Sequence, residues 1–210
     1  MARAMQEVLE PRKSPVQARS TASVDAILQA TLQVLLAVGK EQLTTTKVAA
    51  RAGVSVGTLY QYFPNKSSLL QAVLRRHMEE VFGAVEQVCQ EQRGATLAEM
   101  SVALVDAFLV AKMRDGKESV ALYAVSSDID GVRIVQEMSG RSRAAITAML
   151  ESASDGLMRE PGMVASMILA TMSGASRRLL EAADPVKEFD ATREELRVLV
   201  RAYAGACRVG

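Results

Sequence analysis

The chain has few of the residues from which catalytic and metal sites are usually built. Among 210 residues there are one histidine, two cysteines and no tryptophan. His77 has Glu79 and Glu80 nearby but no cysteine, so a four-ligand zinc site is not expected, and we interpret His77 as a surface or hinge residue. The turn at residues 128–131 lacks the other ligands of a calcium loop. Since no phosphate-binding glycine-rich loop or Gly-x-Ser-x-Gly motif occurs, we expect no enzyme and no metal or other cofactor.

Cysteine and long hydrophobic runs are also scarce. Cys89 and Cys207 fit reduced thiols in a cytosol better than a disulfide framework. Residues 1–20 contain no apolar run long enough for a signal peptide. The nearest approach to a membrane span, residues 162–175, is short and contains Ser and Thr, whereas a span needs about 20 apolar residues. We therefore expect a cytoplasmic protein without a membrane segment.

Positive charge is concentrated in the first third of the chain. Residues 12–76 contain nine Lys or Arg and two acidic residues, a net charge of +7, and the remainder has 16 basic and 22 acidic residues, a net charge of −6. Such a division is typical of a protein that binds nucleic acid at one end. A solvated basic face without a partner would have the same composition.

Residues 44–70 have the pattern of two short helices joined by a tight turn, with a third helix directly after them. Thr45 or Thr46 can cap the first helix, and Gly53 can end it because glycine readily adopts a positive φ. Ser55 can cap the second helix, which Pro64 ends. Two helices around a glycine-containing turn form a helix-turn-helix, whose second helix enters the major groove of DNA.

The outward face of the second helix has suitable chemistry for this role. Thr58 and Gln61 can contact base edges, and Gly57 allows the backbone to approach the duplex. Tyr60, Tyr62 and Lys66 can reach phosphates. The predicted DNA-binding residues are Thr45, Thr46, Lys47, Ser55, Val56, Gly57, Thr58, Tyr60, Gln61, Tyr62 and Lys66.

The run GVSVGTLYQYFPNKSSLL at residues 53–70 resembles the signature of TetR-type transcriptional regulators. That signature is a Gly-Val-Ser turn followed by Gly-Thr-Leu-Tyr-x-Tyr-Phe-x-Asn-Lys, and the resemblance covers roughly residues 20–80. It implies DNA contacts by Thr58, Tyr60, Tyr62 and Lys66. Position 57 is Pro in some relatives and Gly here, so a contact made by that Pro is not implied for this chain.

Two predicted segments precede this motif, and a long predicted helix follows it. Residues 1–20 read as a flexible basic arm, in which Arg12, Lys13 and Arg19 could follow phosphates or enter a minor groove; an unstructured tail is the alternative. A first helix is predicted from a cap at Ser23 to Gly39. It completes a three-helix DNA-binding domain at residues 21–68. A connecting helix at about 66–92 would be ~40 Å long and could transmit a ligand's effect to the DNA-binding domain.

Residues 69–210 are predicted to form a larger helical domain, which makes the protein all-α. Helices are expected at about 97–113, 118–126, 132–154, 161–182 and 190–207, separated by turn signals. Eleven methionines suit an adaptable cavity for an apolar small molecule, although methionine at helical spacing is more often ordinary core. The predicted pocket residues, which rest mainly on the resemblance, are Met100, Leu104, Phe108, Tyr123, Met138, Met149 and Met167.

The last two helices have faces suited to a dimer. The first is rich in small residues, which allow close approach of a partner helix. In TetR-type proteins the corresponding helices form a four-helix bundle between two subunits, so the resemblance implies a homodimer here; packing only within one subunit is the alternative. The predicted interface residues are Met163, Ser166, Ala170, Gly174, Leu196, Leu199 and Tyr203.

Two functions remain open from the sequence. The favoured one is a homodimeric regulator, usually a repressor in this family, that binds a palindromic operator and is released by an apolar effector. The alternative is a small-molecule-binding helical protein without specific DNA binding.

Overall fold

The computed structural model describes residues 15–209, with side chains from residue 20 onwards. This part of the chain is built from α-helices, as predicted, with a short 3₁₀ turn at Ser127–Ile129. The helices are α1 (Pro15–Gln42), α2 (Thr45–Ala52), α3 (Val56–Tyr62), α4 (Lys66–Glu91), α5 (Leu97–Met113), α6 (Gly116–Ser126), α7 (Gly131–Leu150), α8 (Pro161–Leu180) and α9 (Pro185–Ala206). They fall into two compact units, the first ending at Lys66 and the second beginning at Ser67.

The first unit has a small apolar core contributed by α1, α2 and α3. Its buried side chains include Ile27, Leu28, Val34, Leu35, Leu43, Val48, Ala49, Leu59 and Phe63. Helix α1 packs on α2, and α2 packs on α3. Gly39, with φ of 75°, interrupts α1 where the sequence predicted its end. The three-helix arrangement is therefore present within one unit.

Helix α1 departs from the sequence expectation in two ways. It begins at Pro15, so the predicted start at Ser23 is wrong; proline fits the first turn of a helix because its missing N–H has no helical partner there. Residues 20–42 are also long and apolar enough to cross a membrane by composition, which the sequence reading overlooked. Several apolar side chains of α1 are buried in the core of the first unit, among them Ile27, Leu28, Val34 and Leu35. The predicted arm residues Arg12 and Lys13 lie outside the described residues. Arg19 lies within α1, so the prediction that the arm extends to residue 20 is wrong.

The second unit is held together by one continuous hydrophobic core. Helix α5 packs against α9, and α8 packs against both α7 and α9. The buried residues of this core include Val81, Val85, Met100, Leu104, Phe108, Leu109, Ile146, Met149, Val164, Ile168, Met172, Leu196, Val200 and Ala204. Cys89 and Cys207 are buried in the same core as free thiols.

Two helix boundaries in the second unit differ from the prediction by four or five residues. Helix α7 ends at Leu150 instead of residue 154. Helix α9 begins at Pro185 instead of residue 190, because Asp184 caps it by accepting a hydrogen bond from the Lys187 backbone N–H at 3.2 Å. The Asp-Pro pair therefore starts a helix, and the prediction that it breaks the chain for several residues is wrong.

A buried polar group lies between α4, α5 and α6. His77 Nε2 is 3.4 Å from the Ser119 hydroxyl oxygen, and His77 Nδ1 is 3.7 Å from a Glu118 carboxylate oxygen. Burial and the charge of Lys112 lower the pKa of His77 to about 4. Burial also lowers the pKa of Lys112, whose ammonium donates to the Met78 sulfur at 3.6 Å, to about 8. The prediction of His77 as a surface residue is wrong.

Candidate DNA-binding surface

Helix α2 is fixed at both ends by hydrogen bonds. Thr44 caps it, since its hydroxyl oxygen accepts from the Lys47 backbone N–H at 3.2 Å. The predicted caps Thr45 and Thr46 are therefore inside the first turn, one or two residues late. Gly53 ends the helix in the left-handed region with φ of 68°, as predicted. The Val54 N–H then donates to the Ala49 carbonyl at 3.1 Å, which closes the turn towards α3.

Helix α3 has one buried and one exposed face. Leu59 is buried beneath it, and Phe63 follows it in extended conformation, so the chain leaves the helix just before Pro64 as predicted. On the other side Val56 is 37% exposed and Tyr60 is 49% exposed, although both are hydrophobic. An exposed face of this kind on a short helix is available for contact with another molecule.

The start of α3 is organised around Ser55. Its hydroxyl oxygen accepts from the Thr58 backbone N–H at 2.9 Å, which confirms Ser55 as the cap. The two side-chain oxygens of Ser55 and Thr58 are 2.8 Å apart. If the Ser55 hydroxyl donates in this pair, the hydrogen of the Thr58 hydroxyl is left to donate outward. The Thr58 side chain is then held in one orientation on the exposed face.

A second side-chain pair connects α2 with α3. The Tyr60 hydroxyl lies 3.1 Å from the Thr45 hydroxyl, and each can donate to the other. Both residues were predicted to contact DNA, and the sequence alone did not indicate that they touch each other. The bond places two hydroxyls side by side, where they could share one phosphate oxygen.

Two of the predicted cations have intramolecular partners. The Lys47 ammonium donates to the Gln42 carbonyl at 2.9 Å. The Lys66 ammonium donates to the Lys40 carbonyl, within the first unit, and the Lys66 side chain is half-buried. An ammonium has three donors, so both lysines retain hydrogens for a phosphate, but Lys66 also ties the start of α4 to the end of α1.

All eleven predicted DNA-binding residues lie in the first unit with accessible surface. The exposed ones are Thr46, Lys47, Ser55, Val56, Gly57, Tyr60 and Gln61, and the half-buried ones are Thr45, Thr58, Tyr62 and Lys66. Sequence reasoning missed Thr44, the exposed cap of α2; the Thr-Thr-Thr run was the available signal, and it left the register uncertain by one residue.

The seven residues predicted to line a ligand pocket have different surroundings. Four are buried in the core of the second unit: Met100, Leu104, Phe108 and Met149. Tyr123 donates its hydroxyl hydrogen to the Glu181 carboxylate, and Met138 is half-buried. Met167 is 47% exposed on α8 and lies outside the buried core of the second unit. For Met100 and Met149, ordinary core packing is the reading that the structure supports.

The predicted dimer residues form an outer face on α8 and α9, with one exception. Met163, Ala170, Gly174 and Leu199 are exposed, and Ser166 and Tyr203 are half-buried. Leu196 is only 4% exposed because it belongs to the inward stripe that continues through Val200 and Ala204, but it also lines the groove between α8 and α9, so its place in the interface stays a prediction. The exposed apolar residue that the sequence reading missed on this face is Val198.

Metal-binding side chains do not gather in the described part of the chain. Within residues 20–209, no group of three or more His, Cys, Asp or Glu residues is placed to hold a metal ion.

Comparison with known proteins gives two family matches that together span most of the chain. Residues 27–73 match the family described as bacterial regulatory proteins, tetR family. Residues 96–203, more than half of the chain, match the family described as tetracyclin repressor-like, C-terminal domain.

Individual relatives agree with these matches. The nucleoid occlusion factor SlmA of Marinomonas sp. (strain MWYL1) is 25% identical over 182 residues, which cover 83% of this chain and 91% of the relative. The HTH-type transcriptional repressor KstR of Mycolicibacterium smegmatis is 47% identical over 55 residues, 26% of this chain and 27% of that protein.

A solved structure shows the same fold. The crystal structure of a TetR-family transcriptional regulator from Mesorhizobium loti superposes with a TM-score of 0.71 at 18% identity, and covers 91% of this chain and 99% of that one. Members of this family are DNA-binding transcription factors and not enzymes. With a helix-turn-helix unit followed by a helical C-terminal unit, each matched by its own family description, the chain belongs to the TetR family of transcriptional regulators.

Proposed function

We propose that this protein is a homodimeric, ligand-responsive transcriptional repressor of the cytoplasm that binds a palindromic operator and is released by a small-molecule effector. The observation that carries the DNA-binding part is the accessible face of α3, on which Thr58, Tyr60 and Gln61 follow a capped helix start. The repressor assignment is supported by the relative KstR, which is itself a repressor.

Sequence recognition is assigned to the polar residues of α3. Gln61 is exposed and can pair with an adenine edge through two hydrogen bonds, and Thr58 can donate to a base or contact a thymine methyl. The pair Thr45 and Tyr60 and the ammonium groups of Lys47 and Lys66 would bind phosphates and set the register of the helix in the groove. These roles follow from the chemistry and accessibility of each side chain.

Dimerisation is assigned to the outer faces of α8 and α9. The two helices border a groove of about 570 Å³, lined by Thr171 and Ala175 on α8 and by Val198 and Leu199 on α9. Exposed apolar side chains beside small residues favour a helix–helix contact. A two-fold dimer would present two α3 helices and require an operator with matching half-sites.

The effector is assigned to the second unit. A ligand that prefers the conformation unable to bind DNA by ~1–3 kcal/mol would change operator affinity by about 5–150-fold. The competing function, a helical small-molecule-binding protein without specific DNA binding, predicts no preferred duplex.

The deciding experiment is selection from a pool of random duplexes with the purified full-length protein. Enrichment of one sequence with two inverted half-sites, lost in the double variant Thr58→Val/Gln61→Ala, is the expected result. Asp190→Asn, an exposed charge change at the start of α9, is the matched control and should select the same sequence as the wild type. Recovery of no palindrome would favour the alternative.

A further inference from the structure

A surface cavity of about 340 Å³, open to solvent, lies in the second unit between α4, α7 and α8, and half of its lining residues are exposed. We call it the α7 cavity, because half of its ten lining residues come from that helix: Val135, Gln136, Ser139, Gly140 and Arg143. Its volume is near the lower end of the range of ~300–1,000 Å³ for small-molecule sites. It shares no lining residue with the groove between α8 and α9.

The walls of the α7 cavity combine an apolar surface with a polar edge. Phe82 of α4, Val135 of α7 and Leu169 of α8 supply hydrocarbon from three different helices. Gln136 and Ser173 supply hydrogen-bonding groups beside them. This composition suits an amphiphile, because a hydrocarbon chain gains free energy by leaving water while its polar end keeps hydrogen-bond partners.

Arg143, whose side chain is exposed, is the one charged residue among the ten that line the cavity. The other arginines of α7 are matched by acids: Arg133 by Asp130 at 2.6 Å, and Arg141 by Glu86 at 2.6 Å. For the Arg143 guanidinium, the described part of the chain provides no ion pair or hydrogen bond. Its planar set of donors matches the two oxygens of a carboxylate.

We propose that the α7 cavity binds a small amphiphile with a single carboxylate, whose hydrocarbon part contacts Phe82, Val135 and Leu169 and whose carboxylate pairs with Arg143. This inference rests on the proposed function, since it names the chemical class of the effector. It also replaces the expectation of a purely apolar effector. Phe82 lies on α4, the helix that begins at Lys66, so a bound chain would contact the helix that connects directly to the DNA-binding unit in sequence.

The α8 edge of the cavity includes Ser166 and Ala170, which also belong to the predicted dimer face. Ligand binding and dimerisation are therefore measured separately. The molar mass of each variant is determined by light scattering before ligand is added, so that a change in affinity is compared only among proteins in the same oligomeric state.

The test is calorimetric titration of the full-length protein with sodium octanoate and, as a neutral probe of equal chain length, octan-1-ol. Octanoate should bind the wild type with a Kd below about 1 mM and at least about fivefold more tightly than octan-1-ol. Arg143→Gln should reduce octanoate affinity at least about fivefold and leave octan-1-ol affinity unchanged. Arg141→Gln, which removes a paired charge two residues away on α7, should bind both probes like the wild type.

A second variant tests the apolar wall. A Cβ at Gly140 meets no atom within 4 Å, so Gly140→Leu can fill the cavity without a clash at the backbone. Gly140→Leu should weaken the binding of both octanoate and octan-1-ol. The proposal is overturned if octanoate does not bind the wild type, if octan-1-ol binds as tightly as octanoate, or if Arg143→Gln or Gly140→Leu binds octanoate like the wild type.

The two proposals can fail independently, because the titration contains no DNA. If octanoate does not bind, the result of the duplex selection is still valid. If no palindrome is selected, the titration can still be interpreted. If both succeed, octanoate should reduce operator affinity in the wild type and should have a smaller effect at the same concentration in Arg143→Gln.

Discussion

The Tyr60 hydroxyl of α3 lies 3.1 Å from the Thr45 hydroxyl of α2, so the two helices of the helix-turn-helix are joined on their accessible side by one hydrogen bond. Tyr60→Phe removes this bond and keeps the ring. We expect affinity for all duplexes to fall alike, by about 1 kcal/mol, because a neutral hydroxyl contact is lost. Titrations on the selected operator and on a scrambled duplex check this, and the salt slope should stay unchanged. A loss confined to the operator would contradict a positioning role.

Lys66 has two expected roles, a contact with a DNA phosphate and a hydrogen bond within the first unit. One substitution tests both, because each role is measured by a different method. Lys66→Ala should weaken all duplexes and reduce the slope of log K against log salt by about 1, because one phosphate contact is lost. It should also lower the free energy of unfolding by about 1 kcal/mol, since the Lys40 carbonyl loses its donor. Salt-dependent titration and urea denaturation measure the two. An unchanged salt slope with reduced stability would assign Lys66 to the fold alone.

Gln61 should control sequence preference. Gln61→Ala is expected to change affinity by ~1–3 kcal/mol at one position of each half-site and to leave the salt slope as it is, because an amide pairs with a base edge and releases no counterion. Its stability should be unchanged, as Gln61 is exposed. Competition between the operator and single-base variants measures the effect, and equal weakening on every duplex would argue against base contact.

Leu199, 53% exposed on α9, should matter only in the dimer. Leu199→Asp places a charge in the proposed helix–helix contact and should yield a monomer by light scattering, because a buried unpaired charge costs several kcal/mol. Val132→Asp is the matched control, as Val132 is 69% exposed on α7, away from this face. A dimer that survives Leu199→Asp would place the interface elsewhere.

His77 should make stability depend on pH in a defined window. Its pKa is lowered to about 4 in the folded protein, so between pH about 6.5 and 4 the unfolded chain binds a proton that the folded protein does not. The free energy of unfolding should therefore fall as pH decreases through this window, by up to about 3 kcal/mol, and receive no contribution above it. Denaturation of the wild type and His77→Gln across this range isolates the effect, because His77 is the only histidine. If the free energy of unfolding changed with pH equally in the wild type and in His77→Gln, the contribution of His77 would be refuted.

The sequence predicted the parts of the fold that local chemistry determines. Ser55 acts through its hydroxyl, Gly53 through its φ preference and Pro64 through its ring, and the helix-turn-helix was placed to within two residues of the structure. The start of α9 was misplaced because Asp-Pro was read as a break, although proline is also favoured at the first turn of a helix.

Tertiary environment was harder to predict. Leu196 and Leu199 are both apolar and three residues apart on α9, yet one faces the core and the other faces outward. His77 was expected at the surface because nothing in the local sequence signals that α6 covers it with Ser119. The α7 cavity could not be foreseen either, since its lining combines residues of α4 with residues of the distant helices α7 and α8.

The buried thiols of Cys89 and Cys207 have a practical consequence. Burial raises the pKa of Cys89 to about 12, and thiolate is the form that reacts with maleimides. Both native cysteines should therefore not react with maleimides in the folded protein. A cysteine introduced at an exposed position such as Gln61 would then take up a fluorophore or spin label selectively, so that movement of α3 could be followed in the otherwise unaltered chain.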